Sequence, residues 1–179
     1  FADSFAAKGV LHARLAPSGH AEEGECLDVF VTHLESKGGE REIRMSQCAE
    51  LAGFVKKHSH PQRPAIIMGD FNIDGRQEEQ TPGSEHAELL RTLQSAIGNR
   101  RLVDLSARDS ESGTTRQHEP GGGKRIDYIF AAVPCQRIDC LQWRDVEVNR
   151  FQDERVDALS DHSAVQAELL WQPAAAGRF

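Results

Sequence analysis

The chain has 179 residues, a formal net charge of -7, and 39% hydrophobic and 27% charged residues. That length suffices for one domain with a real core, and the mix belongs to a soluble globular protein rather than a disordered one. The acidic balance argues against a protein that wraps nucleic acid by charge alone, which needs clustered Lys and Arg, and no apolar run reaches membrane-spanning length.

Val10 to Leu15 (VLHARL) alternates in polarity and is predicted as a strand. The polar stretch APSGHAEEGE follows, with Pro17, Gly19 and Gly24 marking a turn. CLDVFVTH, Cys26 to His33, is a second strand, so the two form a hairpin. On it Leu27, Val29, Val31 and His33 point one way and Asp28, Phe30 and Thr32 the other. Glu40 to Lys57 reads as a helix whose apolar stripe is Cys48, Leu51, Ala52 and Val55. Pro61 and Pro64 end it and lead into AIIMGD, a strand apolar on both faces and therefore expected in the middle of a covered sheet.

Thr81 to Gly83 is a turn, and Ser84 is the expected N-cap of a helix over Glu85 to Ile97. Its buried stripe is Leu89, Leu90, Leu93 and Ile97, and Gly98 and Asn99 close it. Residues 104–123 are polar, end in Gly121, Gly122 and Gly123, and read as a long surface loop of the kind that often carries function. RIDYIF places Ile126, Tyr128 and Phe130 on one face of a strand and Asp127 on the other. A strand over Gln136 to Asn149, a polar loop RFQDERVDALSDH and a final strand SAVQAELLW complete the chain. On the last, Val165, Ala167, Leu169 and Trp171 alternate with Gln166 and Glu168. Strands dominate, which points to sheets packed face to face with helices outside.

Cys26, Cys48, Cys135 and Cys140 match no zinc spacing. They are expected as buried or free thiols, with a disulfide between Cys135 and Cys140 open if the protein is exported. The chain begins at Phe1 without Met or signal-peptide pattern. Its start is therefore expected to have been cut off, and a cytoplasmic or an exported location stays open.

Polar side chains interrupt this pattern at four strand ends or starts: His33, the pair Asp70 and Asn72, Asp127, and the pair Asp161 and His162. Strand ends can converge on one rim, where clefts form. Carboxylates bind a divalent cation and orient water. An amide or an imidazolium donates to a phosphoryl oxygen as charge builds, and a carboxylate beside a His fixes its tautomer and raises its pKa. These are the needs of phosphate-ester hydrolysis. Singly, each position also fits a turn, a cap, or, for Asp127, a pair with Arg125 or Lys124.

The motifs THLES, GDFN, KRIDYIF and SDH, in this order, resemble the endonuclease/exonuclease/phosphatase superfamily from Lys8 to the last strand. The resemblance implies an α+β fold, a DNase I-like sandwich of two mixed β-sheets flanked by helices. It implies a metal-dependent phosphoric ester hydrolase using Mg2+ or another divalent cation such as Mn2+. Asp70 would orient or deprotonate the attacking water, Asn72 would donate to the phosphate, and His162, held by Asp127, would serve as proton donor or base. Asp161 would lie in the metal's coordination sphere, and His33 would be a second imidazole near the phosphate or leaving group.

Family members also carry an N-terminal portion that supplies an Asn and a Glu, the latter the main magnesium ligand. Only Phe1 to Ala7 precede the KGVL strand here. The chain is thus expected to be one partial domain, 1–179, lacking the N-terminal part. The segments AKGVL, VFVTHLES and REIRMSQCAELAGFV are similar to the neutral sphingomyelinase branch. Arg44 and Gln47 match an Arg and a Gln of that branch and are read as structural; no aromatic lipid-inserting hairpin is evident between Cys135 and Asn149, where Trp143 is the only candidate. The expected substrate is a phosphodiester: a lipid, a small molecule or a nucleic acid. The alternatives are a magnesium-dependent nuclease acting on DNA or RNA and, from another class, an inactive fragment or binding-only relative.

Overall fold

Five strands form the larger of two sheets in the computed structural model, which describes residues 7–16, 26–37, 39–78, 83–106, 113–115, 123–149, 155 and 159–172. β1 (Val10–Leu15) and β2 (Leu27–His33) pair antiparallel, as the hairpin reading requires. β3 (Ala65–Asp70) runs parallel to β2 and antiparallel to β5 (Asp127–Val133). β4 (Arg101–Asp104) pairs antiparallel with β5, giving the order β1-β2-β3-β5-β4. The two-faced strand AIIMGD is therefore central. The second sheet is antiparallel, formed by β6 (Leu141–Asn149) and β7 (Ala164–Trp171).

Among the described residues, three α-helices complete the layout: α1 (Arg41–His58), α2 (Gly75–Glu78) and α3 (Glu85–Ile97). One face of the larger sheet, with Phe30, Ile67, Tyr128 and Phe130, is covered by Cys48, Leu51 and Val55 of α1 and by Leu89, Leu93 and Ile97 of α3. The other face, with Leu27, Ile66, Ile129, Ala131 and Val133, meets the second sheet through Leu141, Val165, Ala167, Leu169 and Trp171. Each fully buried Leu, Ile or Phe in these layers contributes roughly 1.5–3 kcal/mol. Among the described residues, no helix is long and apolar enough to cross a membrane.

Polar groups pin the layers. Arg44 on α1 is buried, grips both carboxylate oxygens of Glu85 on α3 at 2.6 and 3.1 Å, and donates to the Lys37 carbonyl at 2.8 Å. Gln47 Oε1 accepts from the Glu35 amide at 2.8 Å. Both side chains thus tie down the loop after β2, the structural role read for them. At the opposite end of β2, fully buried Asp28 lies 3.1 Å from His12 Nε2 and accepts from Arg14 and Arg63 at 3.2 and 2.9 Å. Burial pushes its carboxyl up, but the hydrogen bonds from His12, Arg14 and Arg63, with the Arg63 charge, outweigh this and hold it below the usual carboxylate range.

Three expectations need correction. β4 falls where no strand was expected. The strand read from Gln136 starts only at Leu141, because Pro134 leads into a 3-10 helix over Cys135–Cys140, where the Arg137 amide bonds back to the Pro134 carbonyl at 3.0 Å. β5 runs three residues beyond Phe130. The cysteines stay as thiols, Cys135 exposed and the other three buried, and the Cys135–Cys140 bridge left open above does not form. The turn residues Pro17, Gly19, Gly24 and Thr81, the glycines 121 and 122, and most of the loop 150–162 lie outside the described residues.

Ser84 caps α3 as expected, its Oγ accepting from the Ala87 amide at 3.1 Å. Ser84→Ala is expected to lower stability by about 1 kcal/mol in a denaturant titration. An unchanged midpoint would show that the cap contributes nothing.

Candidate active site

Strand register assembles the site. His33 is the last residue of β2, Asp70 the last of β3 and Asp127 the first of β5, and the ladder sets His33 opposite Asp70 and Asp70 opposite Asp127. Three functional groups thus stand in a row across three neighbouring strands. The fourth, His162, comes from the segment before β7 and bridges antiparallel to Thr115.

The approach of β3 to β2 depends on Gly69. Its φ is 138°, and a Cβ there would meet the Thr32 carbonyl oxygen at 1.9 Å. The turn after β3 then presents its polar groups. Asn72 has φ 53°, a left-handed conformation that Asn tolerates better than most residues. Its amide N–H donates to Asp70 Oδ1 at 2.8 Å, and its side-chain Nδ2 donates to the Leu34 carbonyl at 3.1 Å. Asp70 Oδ1 is therefore fixed, and Oδ2 faces two imidazoles. His33 Nε2 lies 3.6 Å and His162 Nε2 3.9 Å from it.

His162 Nδ1 is 2.9 Å from Asp127 Oδ2. Asp127 therefore pairs with His162, and Arg125 turns instead to Asp104 at 2.7 Å. Burial pulls the His162 ring down, but Asp127, with Asp70 and Asp161 adding, outweighs it, and the net shift is upward. Burial also pushes the Asp70 carboxyl up. The Asn72 amide opposes that rise, and the Asp127 charge adds to it.

A ring titration of His162 by NMR is expected to show a midpoint above the ordinary 6.5 and a fall in Asp127→Asn. Because the folded value is raised, protonated His162 stabilises the fold. That contribution is fully present below the ordinary imidazole pKa and is lost as pH rises through the folded one. A midpoint at or below the ordinary value, indifferent to Asp127→Asn, would count against the pairing.

Ligand atoms of Asp70, Asp127 and His162 lie within 4.8 Å of one another, a group that could hold a metal ion. One oxygen of each carboxylate is already hydrogen-bonded, to the Asn72 amide and to His162. The other oxygen of each is the hard donor that Mg2+ or Mn2+ takes from a protein, alongside waters and phosphate. Asp161 is exposed and stands outside this group of three.

The model of the endonuclease/exonuclease/phosphatase family matches residues 17–162. The chain belongs to this family. Enzymes of the endonuclease/exonuclease/phosphatase family hydrolyse phosphoesters and typically use divalent metals. Solved structures carry the same fold. TDP2 of D. rerio complexed with a single-strand DNA product is 15% identical, with TM-score 0.61, over 91% of this chain and 62% of that one. The human Nocturnin catalytic domain with bound sulfate is 20% identical, TM-score 0.61, over 92% and 53%. Beta toxin of Staphylococcus aureus is 21% identical, TM-score 0.55, over 90% and 57%. Such identities show the fold alone, and this chain spans less than two thirds of each of those chains. No curated protein matches the sequence.

Trp143, the candidate for lipid insertion, sits on β6 half-buried against the core between the sheets. Thr114, which contacts the backbone on both sides of the Asp127–His162 pair, had no sequence signal, since it lies in a segment without periodicity.

Proposed function

We propose that this chain contributes the catalytic rim of a divalent-metal-dependent phosphodiesterase. The observation that carries this reading is the row His33, Asp70 and Asp127, set by strand register and completed by His162 at 2.9 Å from Asp127. Asp70 orients the attacking water and takes its proton. Burial raises its pKa, the direction a general base needs. Asn72 holds the turn with one N–H and offers the phosphate the other, since a side-chain amide carries two donors. His162, whose protonated form Asp127 favours, donates to the phosphoryl oxygens, and His33, 3.6 Å from Asp70 Oδ2, serves near the phosphate or the leaving group. A divalent ion held by Asp70, with Asp161 at its edge, would neutralise phosphoryl charge.

The preferred substrate class is a lipid or small phosphodiester. The likeness of KGVL, VFVTHLES and the α1 sequence to the neutral sphingomyelinase branch supports it, and so does the net charge of -7, which suits duplex DNA poorly. The test assays the intact protein on sphingomyelin vesicles and on DNA, with Mg2+ and with EDTA. Cleavage of the lipid that stops with EDTA is expected. Cleavage of DNA alone would move the reading to a nuclease. Activity unchanged by EDTA would overturn the metal-dependent mechanism, and no activity on either substrate would favour a binding-only relative.

A further inference from the structure

We propose that Thr114 is the positioning residue that holds Asp127 and His162 together, an inference that rests on the phosphoesterase reading of this rim. Thr114 is 1% exposed. Its Oγ1 accepts from the backbone N–H of Ile126 at 3.1 Å and of Asp127 at 3.2 Å, and lies 3.3 Å from the Lys124 carbonyl, to which it donates. A hydroxyl has one donor and two acceptor sites, so all three are used. The Thr114 carbonyl accepts from the Ser163 amide at 2.7 Å, directly after His162, and its own amide donates to the Lys124 carbonyl at 2.8 Å.

One buried residue therefore bonds the backbone of Asp127 on β5 and the backbone beside His162, two groups 35 positions apart in sequence. The crossing is tight. A Cβ on Gly113 would meet the Gly123 carbonyl carbon at 2.4 Å, and one on Gly123 would meet the Thr115 carbonyl oxygen at 2.3 Å. Main chain packs on main chain there, and Thr114 reaches both partners without a long, mobile side chain. Thr114 touches no reacting atom. Its effect passes through the 2.9 Å contact between Asp127 and His162.

The test uses the intact 15N-labelled protein and two variants. Thr114→Val removes the hydroxyl at nearly constant volume, and Thr114→Ser retains it. The readouts are the ring N–H signal of His162 bonded to Asp127 and the exchange rates of the Ile126 and Asp127 amides. Thr114→Val is expected to lose the ring signal and to speed exchange at both amides about tenfold, while α1 and α3 amides keep their protection. Thr114→Ser is expected to restore both. Should Val prevent folding, Thr114→Ala removes the same hydroxyl without bulk and is read in the same way. A hydroxyl-free variant that keeps the ring signal and slow exchange overturns the proposal. These readouts need no turnover. A wild-type protein that shows the ring signal yet cleaves no phosphodiester would therefore refute the phosphoesterase reading while the variants still decide for or against Thr114.

Discussion

Asp70→Asn is expected to lower phosphodiesterase turnover by roughly a hundred- to ten-thousand-fold, the range general-base catalysis contributes, with the fold intact. The substitution is chosen because the Asn carbonyl can still accept from the Asn72 amide, so the turn after β3 survives. What disappears is the charge between the two imidazoles and the ability to take a proton. Stability gives the internal control. Burial raises the Asp70 pKa in the folded state, so ionising it weakens the fold as pH rises through the ordinary carboxylate range and beyond. Asn carries no such penalty. The variant should be at least as stable as the parent at neutral pH, and lost activity then cannot be blamed on unfolding. Turnover within about twofold of the parent would remove Asp70 from the mechanism.

Gly69→Ala is expected to destabilise the protein by about 3 kcal/mol or more, as measured by chemical denaturation. Two separate causes act together. The backbone φ of 138° is one that L side chains rarely adopt, and the new methyl would stand 1.9 Å from the Thr32 carbonyl oxygen. That oxygen belongs to a paired backbone in the middle of a sheet, so relief requires β2 and β3 to move apart. Movement there separates His33 from Asp70, and activity should fall with stability. A variant as stable as the parent would mean that the sheet yields at little cost.

Much of the site was legible because polar groups stand at the ends or starts of apolar strands. Alternation marked β2 and β5, a continuous apolar run marked β3, and His33, Asp70 and Asp127 stood out at their ends or starts. His162 stood out as a polar residue before the last strand, but its role came from the resemblance, since SDH alone is also a turn sequence, and the Ser160 hydroxyl accepts from the His162 amide as in such a turn. The four residues of β4 are too few for periodicity to show against the polar loop that follows. The 3-10 helix before β6 follows from Pro134 and one local backbone bond, which hydrophobic pattern does not encode. Arg44 with Glu85, and Thr114 with Asp127 and Ser163, are contacts between distant residues, and no local rule selects them. The divalent-ion role of Asp161 stays with the proposal, because the geometry gathers Asp70, Asp127 and His162 without it.

Asp28 gives the reacting end of the sheet a reference point at its far end. A strand displaced by one residue turns every side chain to the opposite face. For β2 such a slip would drive an ionised carboxylate into the layer of Leu27, Ile66, Cys140 and Leu141, away from Arg14 and Arg63, at a desolvation cost no apolar contact offsets. A slip of β2 by one residue is thereby excluded, and in the observed alignment His33, five residues on, meets Asp70. A salt-bridged residue at the far end of the strand thereby disfavours the neighbouring register, in which His33 and Asp70 would part.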